Sequence, residues 1–505
     1  MTEKPTGGPP SVRSSIAWNL AAGPFVIVGN LVLIAFSIAI AGVANYGAWA
    51  IAFSAVSLLA QADLGVGAAL VRQLANQRAA LSLSIEDSTK AYGFLIFAVL
   101  SIVSPSLLAL VSMVYFHEIS GAPAFRLQVL IVICASGALA VTLIGRFYIS
   151  VIQSYGLYYP ERLATVGGIA LRAGVMFILY LLGWGLAAVI AGDLVGVLVV
   201  TCGTWSYAHQ HRMLAHRLVP VRGSRRAFTD LVAFSIPTFI SSFATLGAIQ
   251  VPLYFVGAMC GLTDAAVYSA ITRVFQSGRT IFGWIVGPWL PDAASEVGRA
   301  RPIASRHASC YLLMALVGGA GGSVGLLYGG EILTAWLGSG FAAYGAALSI
   351  VAAALYIHGL YAPGVIFATA LGRPGIVAVN NIVILCLTVS LCGLLVGPFG
   401  TIGAAASVAV PIAIVFPVSQ WMTTKCSGLS YSRSMAIGGA VICIDSASCW
   451  VLGGVFRSLG GIWPAAASLF AVSAASAWVL IVGRSRLERF LDGNYSVLNR
   501  GGSRL

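Results

Sequence analysis

Apolar stretches of about 20 residues, each long enough to cross a bilayer as a helix, recur from one end of this 505-residue chain to the other, with no long polar interval between them. In hydrocarbon every backbone N–H and C=O must be satisfied without water, which leaves only helices and closed barrels. Runs of this length and apolarity choose the helix. The sequence therefore predicts an all-α polytopic membrane protein. Composition agrees, with 59% hydrophobic and 9% charged residues against roughly a quarter charged in soluble domains.

Fourteen spans are predicted, at 16–41, 46–63, 91–115, 127–150, 163–182, 185–205, 231–259, 265–289, 309–328, 343–368, 376–395, 402–422, 435–455 and 464–482. Twelve is the fallback number. The first run ends in Ala39, Ile40 and Ala41, which mimics a signal-peptidase site, but it is too long for a signal-peptide core and further spans follow. It is taken as the first helix.

Lys and Arg collect in cytoplasmic loops of bacterial-type membrane proteins and set their orientation. With both ends of the chain cytoplasmic, 22 of the 28 basic residues fall on that side. Arg126 and Arg457 fall outside, while Arg146, Arg172, Arg273 and Arg279 fall within spans. Arg146 is close enough to the cytoplasmic end of its span to snorkel. The densest basic loop divides six spans from eight. The expected organisation is a cytoplasmic tail at 1–15, an N-terminal lobe at 16–205, a basic linker at 206–230, a C-terminal lobe at 231–424, two further spans within 425–484, and a basic tail at 485–505.

Several functions are disfavoured by the residues present. The net charge of +13 is mostly Arg in short loops, facing anionic lipid heads, and nucleic acid is not an expected partner. The nine cysteines never form a CxxC and read as small hydrophobes. His209, His211 and His216 share a basic loop without a carboxylate cluster, so no metal site is expected. None of the three lysines (Lys4, Lys90, Lys425) sits in a phosphate-loop context. The run GGAGGSVG at 318–325 lies inside a span, where such spacing serves close helix contact. No cofactor and no enzymatic activity are expected; transport, which needs a cavity more than a reacting group, is the better class.

At an offset of 219 residues, GVANYGAWAIA (42–52) aligns with GLTDAAVYSAI (261–271), placing Gly42 over Gly261, Asn45 over Asp264 and Trp49 over Tyr268. The helix before each copy carries an early proline, Pro24 or Pro237. Parallel duplication of this kind predicts two pseudo-repeated lobes around a central cavity, as in rocking transporters.

The stretch ADLGVGAALVRQLA at 62–75 resembles a motif of the polysaccharide exporters, the lipid-linked oligosaccharide flippases of the multidrug/oligosaccharidyl-lipid/polysaccharide (MOP) exporter superfamily. AAVYSAITRVFQSGRTIFGWIVGPWLPDAA at 265–294 is similar to that family's eighth helix, ending in a proline and a polar turn. The resemblance implies a protein of the bacterial inner (cytoplasmic) membrane that moves an undecaprenyl-diphosphate-linked oligosaccharide to the outer leaflet by alternating access, without ATP. Its partners would be that substrate, membrane lipids, and a polysaccharide polymerase and other assembly proteins. The rivals are a drug or cation antiporter of the same superfamily and a membrane subunit or enzyme of polysaccharide assembly. An antiporter usually keeps a carboxylate in its first or seventh helix, and 16–41 and 231–259 contain none.

Five residues are candidates for substrate contact. At 62–75 the glycines loosen the helix, and a new helix from about Ala68 begins with free N–H groups. These either bind an anion, with Arg72 one turn on, or are capped by Asp63. On the eighth span Arg273, Gln276, Arg279 and Thr280 are spaced i, i+3, i+6 and i+7, within one helix face. An Arg near the bilayer midplane costs at least about 2.5 kcal/mol unless it is paired or lines a polar cavity. Arg172 and Asp193 lie at matching depths either side of the turn Gly183–Gly185. They either neutralise each other or leave Arg172 to the cavity. His358 and Asp445 are mid-span polar residues with no assigned role.

Overall fold

The computed structural model describes residues 12–62, 65–79, 83–119, 123–214, 225–299, 303–455 and 461–478, and every regular element among them is helical. In chain order these are α1 (Val12–Ala41), α2 (Val43–Ala62), α3 (Val66–Ala79), α4 (Leu83–Glu118), α5 (Phe125–Gln153), α6 (Tyr159–Leu181), α7 (Leu186–Gln210), α8 (Arg225–Met259), α9 (Leu262–Val286), α10 (Trp289–Gly298), α11 (Ala304–Leu327), α12 (Gly329–Leu337), a 3-10 turn (Ser339–Tyr344), α13 (Gly345–Ala370), α14 (Pro374–Ser427), α15 (Tyr431–Val455) and α16 (Trp463–Trp478). They form two compact units, 1–270 and 271–505.

Every predicted span overlaps a helix, and among the described residues eleven helices are long and apolar enough to cross a membrane. α14 enters that number once, although it is two predicted spans joined at Gly400, whose φ of 57° and ψ of −134° break the helix. α9 is outside it because polar and cationic side chains interrupt its apolar character. Single-cysteine labelling checks the topology directly. Positions in 212–226 and 484–504 should react from the cytoplasm and positions in 118–126 and 331–340 from outside; labelling of the 212 and 331 regions from one side would reject fourteen spans.

Three short elements depart from the sequence expectation. The helix expected from about Ala68 begins at Val66, directly after Gly65 at φ +70°. The eighth span breaks at Gly287 and continues as α10, where only a polar turn was predicted. The connection before α13 is coiled into α12 and the 3-10 turn.

In the first unit α6 and α7 form a tight hairpin, α7 packs on α5, and α8 packs on α2 and α3. α3 buries Leu70 and Leu74, four residues apart, against Phe97 and Phe147, so it is a packed helix rather than a loose loop. The two copies of the repeat meet here. Gly42 (φ +77°) and Gly261 (φ +96°) each end one helix and begin the next, in a left-handed conformation that glycine reaches without steric cost. The aligned Trp49 and Tyr268 are both fully buried. A side chain at Gly47 would run into the Leu262 carbonyl and the Ala266 amide, so α2 and the start of α9 touch backbone to backbone. Gly47→Val should lower the amount of folded protein by the equivalent of about 1–3 kcal/mol of overpacking, read as detergent-extractable monodisperse protein.

In the second unit α11 is the central element, packed on α13, α15 and α16. The run at 318–325 does what its spacing predicts: Gly318 and Gly322 accommodate Tyr356, Gly325 accommodates Ala352, and Gly319 accommodates Val441 and Asp445.

Candidate functional site

Two cation-bearing regions emerge, one in each unit. In the first, glycines set the geometry. Gly168 and Gly196 let α6 and α7 approach so closely that Gly196 lies against the aliphatic part of Arg172. The Arg172 Nε then reaches Asp193 Oδ1 at 2.7 Å, as the matching depths predicted. A second partner was not anticipated: Trp49 of α2 donates its indole N–H to Asp193 Oδ2 at 2.6 Å. Asp193 is 4% exposed and Arg172 17%, so the carboxylate is sealed while the guanidinium keeps one side open.

That open side faces a cavity of about 260 Å³, bounded by Asn30, Phe53, Thr142, Arg146, Thr165 and Arg172 among others. Arg172 thus pairs with Asp193 and also lines this cavity. Arg146 donates through Nε to the Ala60 carbonyl at 3.2 Å. This occupies a carbonyl at the end of α2, which has no helical acceptor role left to play. Asn30 donates to its own helix at the Val26 carbonyl.

The second region is on α9. From Ile271 onward the helix packs on α13 through Phe275 against His358 (5.7 Å between rings), Gly278 against Leu355, and Phe282 against Gly359. At 100° per residue, Arg273, Gln276, Thr280 and Arg279 span an arc of about 120° beside that packed face, with Arg279 at its edge. Arg273 donates to Gln276 Oε1 at 3.3 Å, and the Thr280 hydroxyl donates to the Gln276 carbonyl. Arg273, Gln276 and Arg279 are half-buried and Thr280 is exposed. Arg279 has no carboxylate partner among the described residues, and its charge acts on the His358 ring. His358, mid-span and without a role in the sequence, is therefore a neighbour of this cationic face.

The remaining candidates are separate. Arg72 is on the exposed side of α3, opposite Leu70 and Leu74. Asp63 lies outside the described residues.

Chemically, α9 offers guanidinium forks in a low-dielectric setting, suited to two oxygens of a phosphate or carboxylate at once.

No protein-family model and no curated protein matches this sequence. Solved structures do match in fold. A lipid II flippase, MurJ, in an inward closed conformation superposes with a TM-score of 0.71 at 12% identity, over 93% of this chain and 100% of its own. An inward-facing multidrug resistance transporter of the MATE family and MOP superfamily gives 0.63 at 13% identity, over 81% and 98%. A MOP superfamily transporter from Pyrococcus furiosus gives 0.55 at 14% identity, over 83% and 97%. The span pattern, the all-helical architecture and these superpositions together show an all-α polytopic membrane protein that shares its fold with these solved flippase and transporter structures.

Proposed function

We propose that this protein is a flippase for undecaprenyl-diphosphate-linked oligosaccharide repeat units, working by alternating access in the bacterial inner membrane during surface or exopolysaccharide synthesis. The observation that carries the reading is the cationic face of α9: Arg273 and Arg279 are half-buried in a helix of a membrane protein, and Arg279 has no carboxylate partner among the described residues. An Arg in that position is stabilised by an anion, and a diphosphate head is an anion with paired oxygens. A fold shared with a lipid II flippase supports a lipid-linked substrate. The absence of Asp and Glu from 16–41 and 231–259 weighs against the cation-antiporter reading.

The test is depletion of the protein followed by assay of lipid-linked sugars. A flippase defect leaves complete repeat units on the cytoplasmic side, whereas a defect in an assembly enzyme leaves incomplete ones. Incomplete units, or unaltered export after depletion, would reject the proposal.

A further inference from the structure

The second unit contains a larger cavity that the substrate reading does not use. It encloses about 720 Å³ between α11, α15 and α16, and its walls are Leu, Ile, Val and Ala with two serines, Ser448 and Ser476, and one charged residue, Asp445. Among the described residues no Lys, Arg or His lines it. Asp445 stands 14 residues from the start of the 25-residue α15, about 21 Å along the axis. It is therefore deep within the span.

Asp445 is 8% exposed, and its Oδ2 is buried against Gly319 of α11 with no hydrogen-bond donor. The nearest titratable groups are Tyr356 of α13, whose hydroxyl is already donated to the Gly438 carbonyl, and Cys449 one turn along α15. Neither supplies a positive charge. An isolated buried carboxylate is among the most expensive groups to keep in an apolar interior. Among the described residues each other buried acid has a basic partner: Glu86 has Lys90, Glu296 has Arg306, and Asp193 has Arg172.

The cavity is too large and too apolar for a bare ion, and no group of side chains suited to a metal occurs among the described residues. Its volume is that of a site for a drug-sized molecule, mostly apolar with a few polar anchors. From this charge complementarity we infer that the cavity binds a lipophilic monovalent ammonium, with its apolar body between α11, α15 and α16 and its N–H donated to the carboxylate of Asp445. The inference does not rest on the flippase reading, because such a ligand has the opposite charge to a diphosphate.

The full chain in nanodiscs, titrated with rhodamine 6G and read by fluorescence anisotropy against empty nanodiscs, tests it. The cation should bind, and Asp445→Asn should weaken it at least tenfold while leaving the neutral dye Nile red unaffected. Ala475→Trp, which fills the cavity without touching the carboxylate, should weaken both dyes. A control needs no variant: octadecylamine should displace rhodamine 6G from the wild type at a concentration at least tenfold below that of octadecanol. Equal displacement by amine and alcohol, or equal rhodamine 6G affinity of the wild type and Asp445→Asn, would overturn the inference and leave a plain apolar groove whose carboxylate holds only a proton. Unchanged rhodamine 6G binding by Ala475→Trp would overturn it by placing the cation elsewhere.

Discussion

Arg273→Ala is expected to reduce polysaccharide export at least tenfold at unchanged protein abundance. Truncating one member of a buried charge contact typically costs about 2–5 kcal/mol, and the proposed contact is between this guanidinium and the diphosphate head. Arg273 is half-buried and donates to Gln276, three residues along the same helix. Arg273→Lys should retain partial export, since it keeps the charge and loses the two-pronged geometry. The measurement is complementation of a strain lacking the protein, with abundance followed in parallel. Full export by the double variant Arg273→Ala, Arg279→Ala would reject the cationic face as the substrate site and leave the fold unaffected.

Arg172→Ala should act differently, through folding. It leaves the Asp193 carboxylate, 4% exposed, with only the Trp49 indole as a donor. Removing one partner of a buried ion pair costs about 3–5 kcal/mol, because the remaining charge is stranded. A strong fall in membrane abundance is expected. Adding Asp193→Asn should restore most of it, since the amide is neutral and its carbonyl still accepts from Trp49. Adding Asp193→Ala should restore less, because the buried indole N–H then loses its acceptor, a penalty of about 1–3 kcal/mol. Quantitative immunoblotting of the four proteins gives the order. Normal abundance of Arg172→Ala with lost transport would instead assign Arg172 to the substrate path through the cavity it lines.

These two arginines show where sequence reasoning is strong. The hairpin partner of Arg172 was legible because a three-residue turn fixes the register of α6 on α7, and counting from Gly183 and Gly185 equates the depths of Arg172 and Asp193. The clustering of Arg273, Gln276 and Arg279 was legible because all three share one helix and one period. Trp49 was not legible as a partner of Asp193: the two are 144 residues apart and meet only because α2 and α7 share a unit. His358 was beyond reach for the same reason, since its nearness to Arg279 depends on how α9 lies on α13. The bond from Arg146 to the Ala60 carbonyl was likewise beyond reach, because sequence gives the depth of Arg146 and not the helix beside it.

By itself the sequence determined the solvent, and with it the all-helical architecture. In hydrocarbon the backbone has no alternative to the helix, so apolar length and loop charge suffice to place the spans and propose their orientation. It also exposed the repeat, because the helix junctions at Gly42 and Gly261 need the same left-handed backbone and so keep the same residue. Tertiary structure alone decided which polar groups are neutralised and which are left open. Lipid is as apolar as a Leu side chain, so hydrophobicity does not specify which helices touch. Close packing at small residues such as Gly47, Gly196 and Gly319 does. Those contacts give Asp193 an ion-pair partner and an indole donor and leave Asp445 with neither, a difference between two mid-helix aspartates that hydrophobic pattern and charge cannot distinguish.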